Sequence, residues 1–519
     1  MLEEFNGKTM HSHPDQHPRK WAKIDPDRPA ILYPSLGVTI RYGELDARSN
    51  RCAHLLRARG LQRGDHFAML VENLPVFHEL VWAGHNAGLY YTAISWRFHE
   101  DEIAFIIGNC GARLVFYSAR QAALVDRLKP RFPDLAFIDV SDGGYAANFP
   151  ATPIADESRG SDMLYGSGST GRPKGIKQHL PDSGIDGLSK MFALYADRYG
   201  WGEDTVYLMP CPLYHSGPMR FAMAMQQIGA TLIVMEAFDA EQALDLVARH
   251  RVTHAHWVPT MLVRLLKLPA EVKARHDLSS IRTIIHGAAP IAPDVKRAAL
   301  DWFGPILEES YGGTEGNGLT MISSAEWLAH PGSVGRPFLG AVHILDDDGR
   351  DLLTGQVGTV WFSGGPGFAY HQDPDRTADA HDADGRSTLG DIGYVDAEGY
   401  LYLTDRRASM AISGGVNIFP QEAENRLISH PAVADASVFA VPDEDMGEVL
   451  HAVIQPLDPA ADTGALTEDL RAWCRAGLAS IKCPRSWEFR TQLPRHDTGK
   501  IYARHLKDEW LARHGKRGG

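Results

Sequence analysis

The chain has 519 residues, 44% of them hydrophobic and 23% charged, with 52 Lys and Arg against 65 Asp and Glu for a formal net charge of −13. That length exceeds what one core of roughly 100 to 200 residues fills, so two or more domains are expected, and the ordinary globular composition excludes a disordered chain or a fibrous repeat. The acidic balance repels phosphate backbones at long range and argues against nucleic acid as a partner, while leaving room for a locally positive anion site.

The opening segment, MLEEFNGKTMHSHPDQHPRK, is acidic early and has no apolar core, which fits neither a secretory signal nor a transit peptide. His11, His13 and His17 within it are expected to be solvated. From about residue 64 short apolar runs alternate with helical-period stretches, the pattern of strand–helix–strand units in a mostly parallel sheet. His66–Val71 reads as a buried strand, and Pro75 opens a helix with Val76, Phe77, Leu80 and Val81 on one face. Tyr90–Ile94 and Arg113–Tyr117 read as strands on either side of a helix over Glu100–Ile107. The rhythm resumes with strands at Val206–Met209, Leu232–Met235, Thr253–Val258 and Arg282–His286, interleaved with helices over 241–250, 259–268 and after Pro293.

After about residue 330 short alternating strands with Gly and Asp turns, at 341–350 and 394–403, predict a β-rich subdomain. The polar segment TDRRAS at 404–409 marks the boundary of a further domain of about 110 residues, a size that folds independently. In that domain the pattern predicts a helix over Gln421–Ser429, a strand over Ala436–Val441 and a helix over Glu468–Leu478 capped by Thr467, with Leu470, Trp473 and Cys474 on one face. The fold class expected is α/β: a large N-terminal domain of mostly parallel α/β sheets plus a β-rich subdomain, and a small mobile α+β C-terminal domain. The boundaries are set at 1–404, a hinge linker at 405–409, and 410–519. No run reaches the ~18 apolar residues an integral membrane span needs. Cys52, Cys110, Cys211, Cys474 and Cys483 are odd in number and form no C-x-x-C pair, which points to a reducing, cytoplasmic compartment.

The stretch richest in chemistry is Tyr165–Gly175, YGSGSTGRPKG. Its four glycines permit a loop whose backbone N–H groups converge on an anion, Ser167, Ser169 and Thr170 add hydroxyl donors, and Lys174 adds a positive charge. The spacing is not that of a Walker A loop, which sets aside ordinary P-loop NTPase chemistry.

This loop resembles the phosphate-binding signature of the adenylate-forming superfamily, which comprises acyl-CoA synthetases, nonribosomal peptide adenylation domains and firefly-type luciferases. Six further segments match that family in order: PLYHSG at 212–217, HGAAP at 286–290, ESYGGTEG at 309–316, LGDIGY at 389–394, DRRASMAISGGVNIFPQEAE at 405–424 and LPRHDTGKIYARHL at 493–506. The resemblance spans nearly the whole chain. It implies an enzyme that joins AMP from ATP to a carboxylic acid, giving a reactive acyl-AMP and pyrophosphate, and then passes the acyl group to the thiol of coenzyme A.

The same resemblance assigns roles residue by residue. Ser167, Gly168, Ser169, Thr170, Gly171 and Lys174 hold the β and γ phosphates, and Thr170 and Glu315 help hold Mg²⁺. Gly287, Ala288, Ala289 and Pro290 line the adenine pocket, Tyr311 stacks on adenine, Gly312, Gly313 and Thr314 belong to the same nucleotide site, and Asp391 and Arg406 take the ribose. Lys500 is the main catalytic cation of the first step, delivered by the small domain in one arrangement only, with Ala408 at the hinge. A domain rotation then presents Gly414 and Gly415 to the pantetheine of CoA. His215, Ser216, Gly217 and Gly312 shape the acyl pocket, and PLYHSG carries no aspartate of the kind that amino-acid-activating relatives use to pair with a substrate ammonium. Small residues recurring around that pocket leave volume for a medium-to-large apolar acid, such as a fatty, aryl or steroid-like one.

Two positions depart from the family pattern: Gly166 stands where Ser or Thr is usual, and Ala408 where the hinge commonly has Asp or Lys. The alternatives within reach are an enzyme that loads a carrier-protein phosphopantetheine, luciferase-type oxidation of the adenylate, and a non-catalytic nucleotide-binding relative. No carrier-like segment accompanies the signatures, which favours free CoA, and no feature argues for oxidation. The joint presence of Glu315, Asp391, Arg406 and Lys500 argues against a non-catalytic relative. The resemblance leaves room for a homodimer, though nothing in these residues shows one.

Overall fold

A computed structural model of the chain describes residues 3–5, 8–10, 13, 15–166, 173–182, 184–406, 411–413, 416–495 and 503–514. Its spine is a sheet of thirteen strands whose middle is parallel, in the order Leu307–Gly312, Thr283–Gly287, His254–Trp257, Val206–Met209, Thr231–Val234 and Pro29–Tyr33. The registers Trp257↔His286 and Gly287↔Ser310 bring the ends of three of these strands level at their C-terminal edge. Strands covered on both faces need apolar side chains throughout, and Val206–Met209, Thr231–Val234 and Thr283–Gly287 supply them almost without interruption.

The first β–α units form a separate parallel sheet in the order Ala136–Asp139, Ala112–Tyr117, His66–Leu70, Tyr90–Ala93 and Ser161–Asp162. His66–Leu70 is buried throughout, and Pro75–Asn86 returns over it with Pro at the first helical position. Beyond residue 330 the thirteen-stranded sheet continues through the antiparallel strands Ser333–Leu339, Leu401–Arg406, Ser387–Val395, Gly358–Ser363 and Ala341–Leu345. A three-stranded antiparallel sheet of Leu164–Gly166, Lys174–Lys177 and Ala369–Tyr370 frames the Gly/Ser loop. The chain is thus mixed α/β, with a large N-terminal domain of parallel sheets and a smaller C-terminal one.

The C-terminal unit has its own core. Its antiparallel pair Val433–Asp443 and Gly447–Pro456 is flanked by Ala411–Ser413 and Ser486–Phe489 and packs on the helices Pro420–Ile428 and Thr463–Gly477 through Leu427, Val438, Ile454, Leu470 and Cys474. It touches the large domain where Ile428 packs beside Val263, Ala292 and Val295 and where Lys267 Nζ donates to the Val433 carbonyl.

Three local expectations are corrected. The helix expected from Glu468 with a Thr467 cap begins at Thr463 and is capped by Asp462, whose carboxylate accepts from Gly464 and Ala465 N–H; Thr467 lies inside it and its hydroxyl donates back to the Thr463 carbonyl. His17, expected in water, is 2% exposed and pairs with Asn86 Oδ1 at 3.0 Å, edge-on to Trp82. Burial, with His85 beside it, holds its pKa down at about 3, so the ring is neutral. His13 is part-buried and lies 3.1 Å from Asp197 Oδ1, while His11 lies outside the described residues. The strands Pro29–Tyr33 and Val38–Arg41 and the helix Tyr42–Ala58, all before residue 64, carry no expectation from the sequence, although PAILY at 29–33 is an uninterrupted apolar run. All five cysteines are free thiols, and no described helix is long and apolar enough to cross a membrane.

Candidate active site

Parallel sheets place their binding crevices beyond the carboxyl ends of the strands, and three of the family signatures leave the sheet at that edge. The chain leaves Val206–Met209 into 210–215, Thr283–Gly287 into Ala288–Pro290, and Leu307–Gly312 into Gly313–Gly316. The antiparallel strands Lys174–Lys177, from the three-stranded sheet, and Ser387–Val395, from the antiparallel part of the thirteen-stranded sheet, close the crevice.

At its centre is a triangle of polar atoms. Lys174 Nζ donates to Glu315 Oε1 at 2.9 Å and to the Tyr370 hydroxyl at 2.9 Å, and that hydroxyl donates to Glu315 Oε1 at 2.9 Å. The Lys174 ammonium also lies over the Tyr370 ring, 4.5 Å from its centroid. Glu315 is 5% exposed. Burial alone would raise its carboxyl, but the Lys174 ammonium, the Tyr370 hydroxyl and a backbone N–H outweigh that and hold it below the ordinary glutamate value, so it stays ionised.

Across the crevice, the Tyr311 hydroxyl donates to Asp391 Oδ2 at 2.7 Å, and Tyr311 lies against Phe362. Asp391 is 7% exposed, and its partner in the strand ladder is Arg406. Gly287 sits in the register opposite Ser310; a Cβ there would come 2.4 Å from the Ser310 carbonyl oxygen, so only glycine lets the two strands approach this closely. The next residue, Ala288, adopts φ +68°, a left-handed conformation that costs a non-glycine residue of order 1 kcal/mol and concentrates at functional sites.

The third wall is the helix Ser216–Gln227, whose N-terminus opens into the crevice. His215 stands at its N-cap with its ring against Tyr214 at 4.5 Å, and Ser216 Oγ is 2.9 Å from Thr314 Oγ1. Nothing lies within 4 Å of a Cβ built on Gly217. The other small residues answer to close packing instead: a Cβ on Gly312 would meet the Gly318 carbonyl at 2.9 Å, one on Gly313 would meet Leu389 at 2.5 Å, and one on Gly318 would meet Phe362 at 2.0 Å. Gly166 has room for a side chain, the first neighbour of its Cβ being Lys174 Cε at 3.7 Å.

The structure therefore brings together Lys174, Gly287, Tyr311, Thr314, Glu315, Asp391, His215 and Ser216. Ser167, Gly168, Ser169, Thr170 and Gly171, together with Ala408, Gly414, Gly415 and Lys500, lie outside the described residues, as does the side chain of Arg406. Among the described residues no three His, Cys, Asp or Glu side chains gather for a metal. An ionised, buried carboxylate such as Glu315 suits Mg²⁺, which is ordinarily bound through one or two carboxylates with water and substrate phosphates completing its shell.

Two residues escape a reading of the sequence. Tyr370 gives no signal in GFAY, because its role depends on a strand pairing between Ile176 and Tyr370 that is distant in the chain. Arg220 is legible in retrospect as the one cation in the helix SGPMRFAMAMQQ. It lies four residues after Ser216, pairs with Asp162 Oδ2 at 2.8 Å and donates to the Thr314 carbonyl at 3.3 Å, tying the helix to the loop that carries Glu315.

Comparison with known proteins agrees with this geometry. Residues 18–369 match the family model described as AMP-binding enzyme, and residues 422–500 match that of the AMP-binding enzyme C-terminal domain. A fatty acid–[acyl-carrier-protein] ligase of Streptomyces coeruleorubidus is 31% identical, over 94% of this chain and 95% of its own. A long-chain-fatty-acid–CoA ligase of Mycobacterium tuberculosis is 31% identical, over 95% of this chain and 98% of its own. Among solved structures, the o-succinylbenzoate CoA synthetase of Bacillus subtilis in complex with its acyl-adenylate intermediate is 26% identical and superposes with a TM-score of 0.80 over 96% of this chain and 99% of its own.

Proposed function

The chain belongs to the AMP-binding enzyme family, and from that membership we propose that it is an ATP-dependent carboxylic acid:CoA ligase acting on a medium-to-large apolar acid, fatty, aryl or steroid-like. The observation that carries the reading is the pairing, in one crevice, of the Lys174–Glu315–Tyr370 triangle with Tyr311 and Asp391. One side holds a cation and an ionised carboxylate where phosphates and their metal would lie. The other offers an aromatic ring and a buried carboxylate acceptor for a base and a ribose.

The chemistry follows from charge. A carboxylate resists nucleophiles because of its own negative charge. In the first step its oxygen attacks the α-phosphorus of ATP and the bond to pyrophosphate breaks. In the second step the thiol attacks the carbonyl carbon of the mixed anhydride, AMP leaves and the thiol proton passes to solvent. The first step draws two anions together, so positioned donors and cations contribute most of its acceleration. Lys174 and the loop hydroxyls of Ser167, Ser169 and Thr170 neutralise the β and γ phosphates, and Lys500 reaches the bridging and carboxylate oxygens. Mg²⁺, held by Thr170 and Glu315, supplies further neutralisation of phosphate charge when bound. Asp391 and Arg406 fix the ribose, Tyr311 and Gly287–Pro290 the adenine, and His215, Ser216 and Gly217 flank the acyl chain. The hinge at 405–409, with Ala408 at its pivot, lets the 410–519 unit withdraw Lys500 and bring Gly414 and Gly415 to the thiol.

The open space at Gly217 supports an apolar acid of some size, as do the fatty acids named for the two curated relatives. Those relatives also motivate a second reading, since at the same 31% identity one is named for CoA and the other for an acyl-carrier protein as acceptor. Five free thiols support a reducing cytoplasmic setting. The test is a panel of carboxylic acids with MgATP and either CoA or a phosphopantetheinylated carrier protein, following pyrophosphate release and identifying the thioester by mass. Absence of pyrophosphate release across the panel overturns the ligase reading, and a product on the carrier alone moves the acceptor from CoA to the second reading.

A further inference from the structure

Beneath the nucleotide wall lies a buried charged pair that the proposed chemistry does not use. Lys296, on the helix Pro293–Phe303, is 0% exposed, and its Nζ lies 2.5 Å from Oε2 of Glu309, itself 4% exposed. The Lys296 ammonium also faces the Trp327 ring, 5.0 Å from its centroid. His286, fully buried, completes the cluster with Nε2 3.9 Å from the same carboxylate oxygen. Burial, and the Lys296 charge beside it, keep the His286 ring well below its ordinary pKa, so it is neutral and the net charge of the cluster is that of the Lys–Glu pair.

The position of this pair in the chain is informative. Lys296 is three residues into the helix that follows Ala288–Pro290, and Glu309 is two residues before Tyr311. The two segments assigned to the base flank the pair in the chain: Gly287–Pro290 before Lys296, with Gly287 in contact distance of Ser310 and Ala288 held at φ +68°, and Tyr311 after Glu309. A left-handed alanine persists only when both flanks are anchored. On one flank the anchor is the sheet ladder His286↔Glu309 and Gly287↔Ser310. On the other it is the helix, and the directional contact fixing that helix to the Tyr311 strand is Lys296 on Glu309. Apolar packing alone would cover the same area without fixing register, and burying two charges is costly unless their geometry is specific.

Resting on the nucleotide reading above, we infer that Lys296 and Glu309 are positioning residues for the base of ATP: their ion pair sets the spacing between the Gly287–Pro290 loop and Tyr311 without touching the nucleotide. The distinguishing variant is Lys296→Met with Glu309→Leu, which removes both charges while keeping volume, and buried pairs replaced this way commonly leave proteins folded. The expected result is an unfolding midpoint close to wild type, with the ATP KM and the AMP dissociation constant from calorimetry both raised roughly 10- to 100-fold, the scale that a displacement of about 1 Å produces. The KM for the acid should move less than about threefold, on the same convention that tenfold is 1.4 kcal/mol. Unchanged AMP affinity, or ATP and acid constants that worsen together, overturns the inference. If the double variant does not fold, Glu309→Gln, which removes the ion pair but keeps an acceptor for Lys296, should raise the ATP KM and the AMP dissociation constant by a smaller factor with the acid KM unmoved, and ATP and acid constants that worsen together overturn the inference. Failure of the wild-type protein to bind AMP or MgATP would instead overturn the nucleotide reading itself.

Discussion

The Lys174–Glu315 contact yields a quantitative test of how much the crevice depends on a charge pair. At 2.9 Å and an effective dielectric of 20, the attraction between unit charges is about 6 kcal/mol. Desolvation takes back part of this, and the Lys174 side chain keeps 22% of its surface in water while that of Glu315 keeps 6%. The net coupling expected is therefore about 2 to 3 kcal/mol, below the 3 to 5 kcal/mol typical of breaking a fully buried pair. A double-mutant cycle of Glu315→Gln and Lys174→Met, read from the urea midpoints of the four proteins, measures it directly. Glu315→Gln alone should be the least stable member, because it leaves Lys174 facing a neutral amide, and adding Lys174→Met should restore part of the loss. The pH dependence has a definite sign. A carboxyl held below its ordinary value of 4.5 stabilises the fold fully above pH about 4.5, and that contribution fades as pH falls through the lower folded value. A coupling under about 0.5 kcal/mol at pH 7, or one that survives unchanged at pH 3, would refute the view that the pair is ionised and sheltered.

Three further outcomes are expected. Lys500→Ala should cut pyrophosphate release by about two or more orders of magnitude while sparing thioester formation from synthetic acyl-AMP; equal losses in both half-reactions would remove Lys500 from the adenylation step. Gly287→Ala forces a methyl within 2.4 Å of the Ser310 carbonyl and should cost about 1 to 3 kcal/mol of stability and weaken AMP binding, and an alanine variant with wild-type calorimetry would contradict the close approach of these strands. Lys267, part-buried where it donates to the Val433 carbonyl, has its pKa pushed down to about 8 by loss of solvent, with Asp435 offsetting part of that effect. The docked arrangement therefore binds fewer protons than one with Lys267 in water, so raising pH from 8 to 10 should favour docking. Fluorescence transfer between labels on the two domains should report it, and a pH response that persists in Lys267→Met would assign the effect elsewhere.

Strand identity was legible at apolar runs such as His66–Leu70 and Thr283–Gly287, whereas strand order was not, because it is set by pairing between segments distant in the chain. Helix starts were less legible: Asp462 and Thr467 are both competent caps, and the choice between them rests on where the helix packs. Within the crevice, Lys174, Glu315, Tyr311 and Asp391 could be named because each sits in a local motif. Tyr370 and Lys296 could not, since the role of Tyr370 arises from contacts across 55 to 196 residues of chain and that of Lys296 from burial that no local pattern encodes. His17 makes the same point in reverse, a polar-looking neighbourhood folding against Trp82 and Asn86.

The pairing of Asp391 with Arg406 joins two events that the chemistry keeps apart. The two residues proposed to fix the ribose are cross-strand neighbours in one ladder, and one of them, Arg406, belongs to the proposed 405–409 hinge. If the small lobe turns about that hinge as proposed, torque on the chain would reach the rung proposed to hold the ribose, so the grip on AMP and the angle of the lobe would be coupled. Under that coupling, release of AMP and return of the lobe would be one motion.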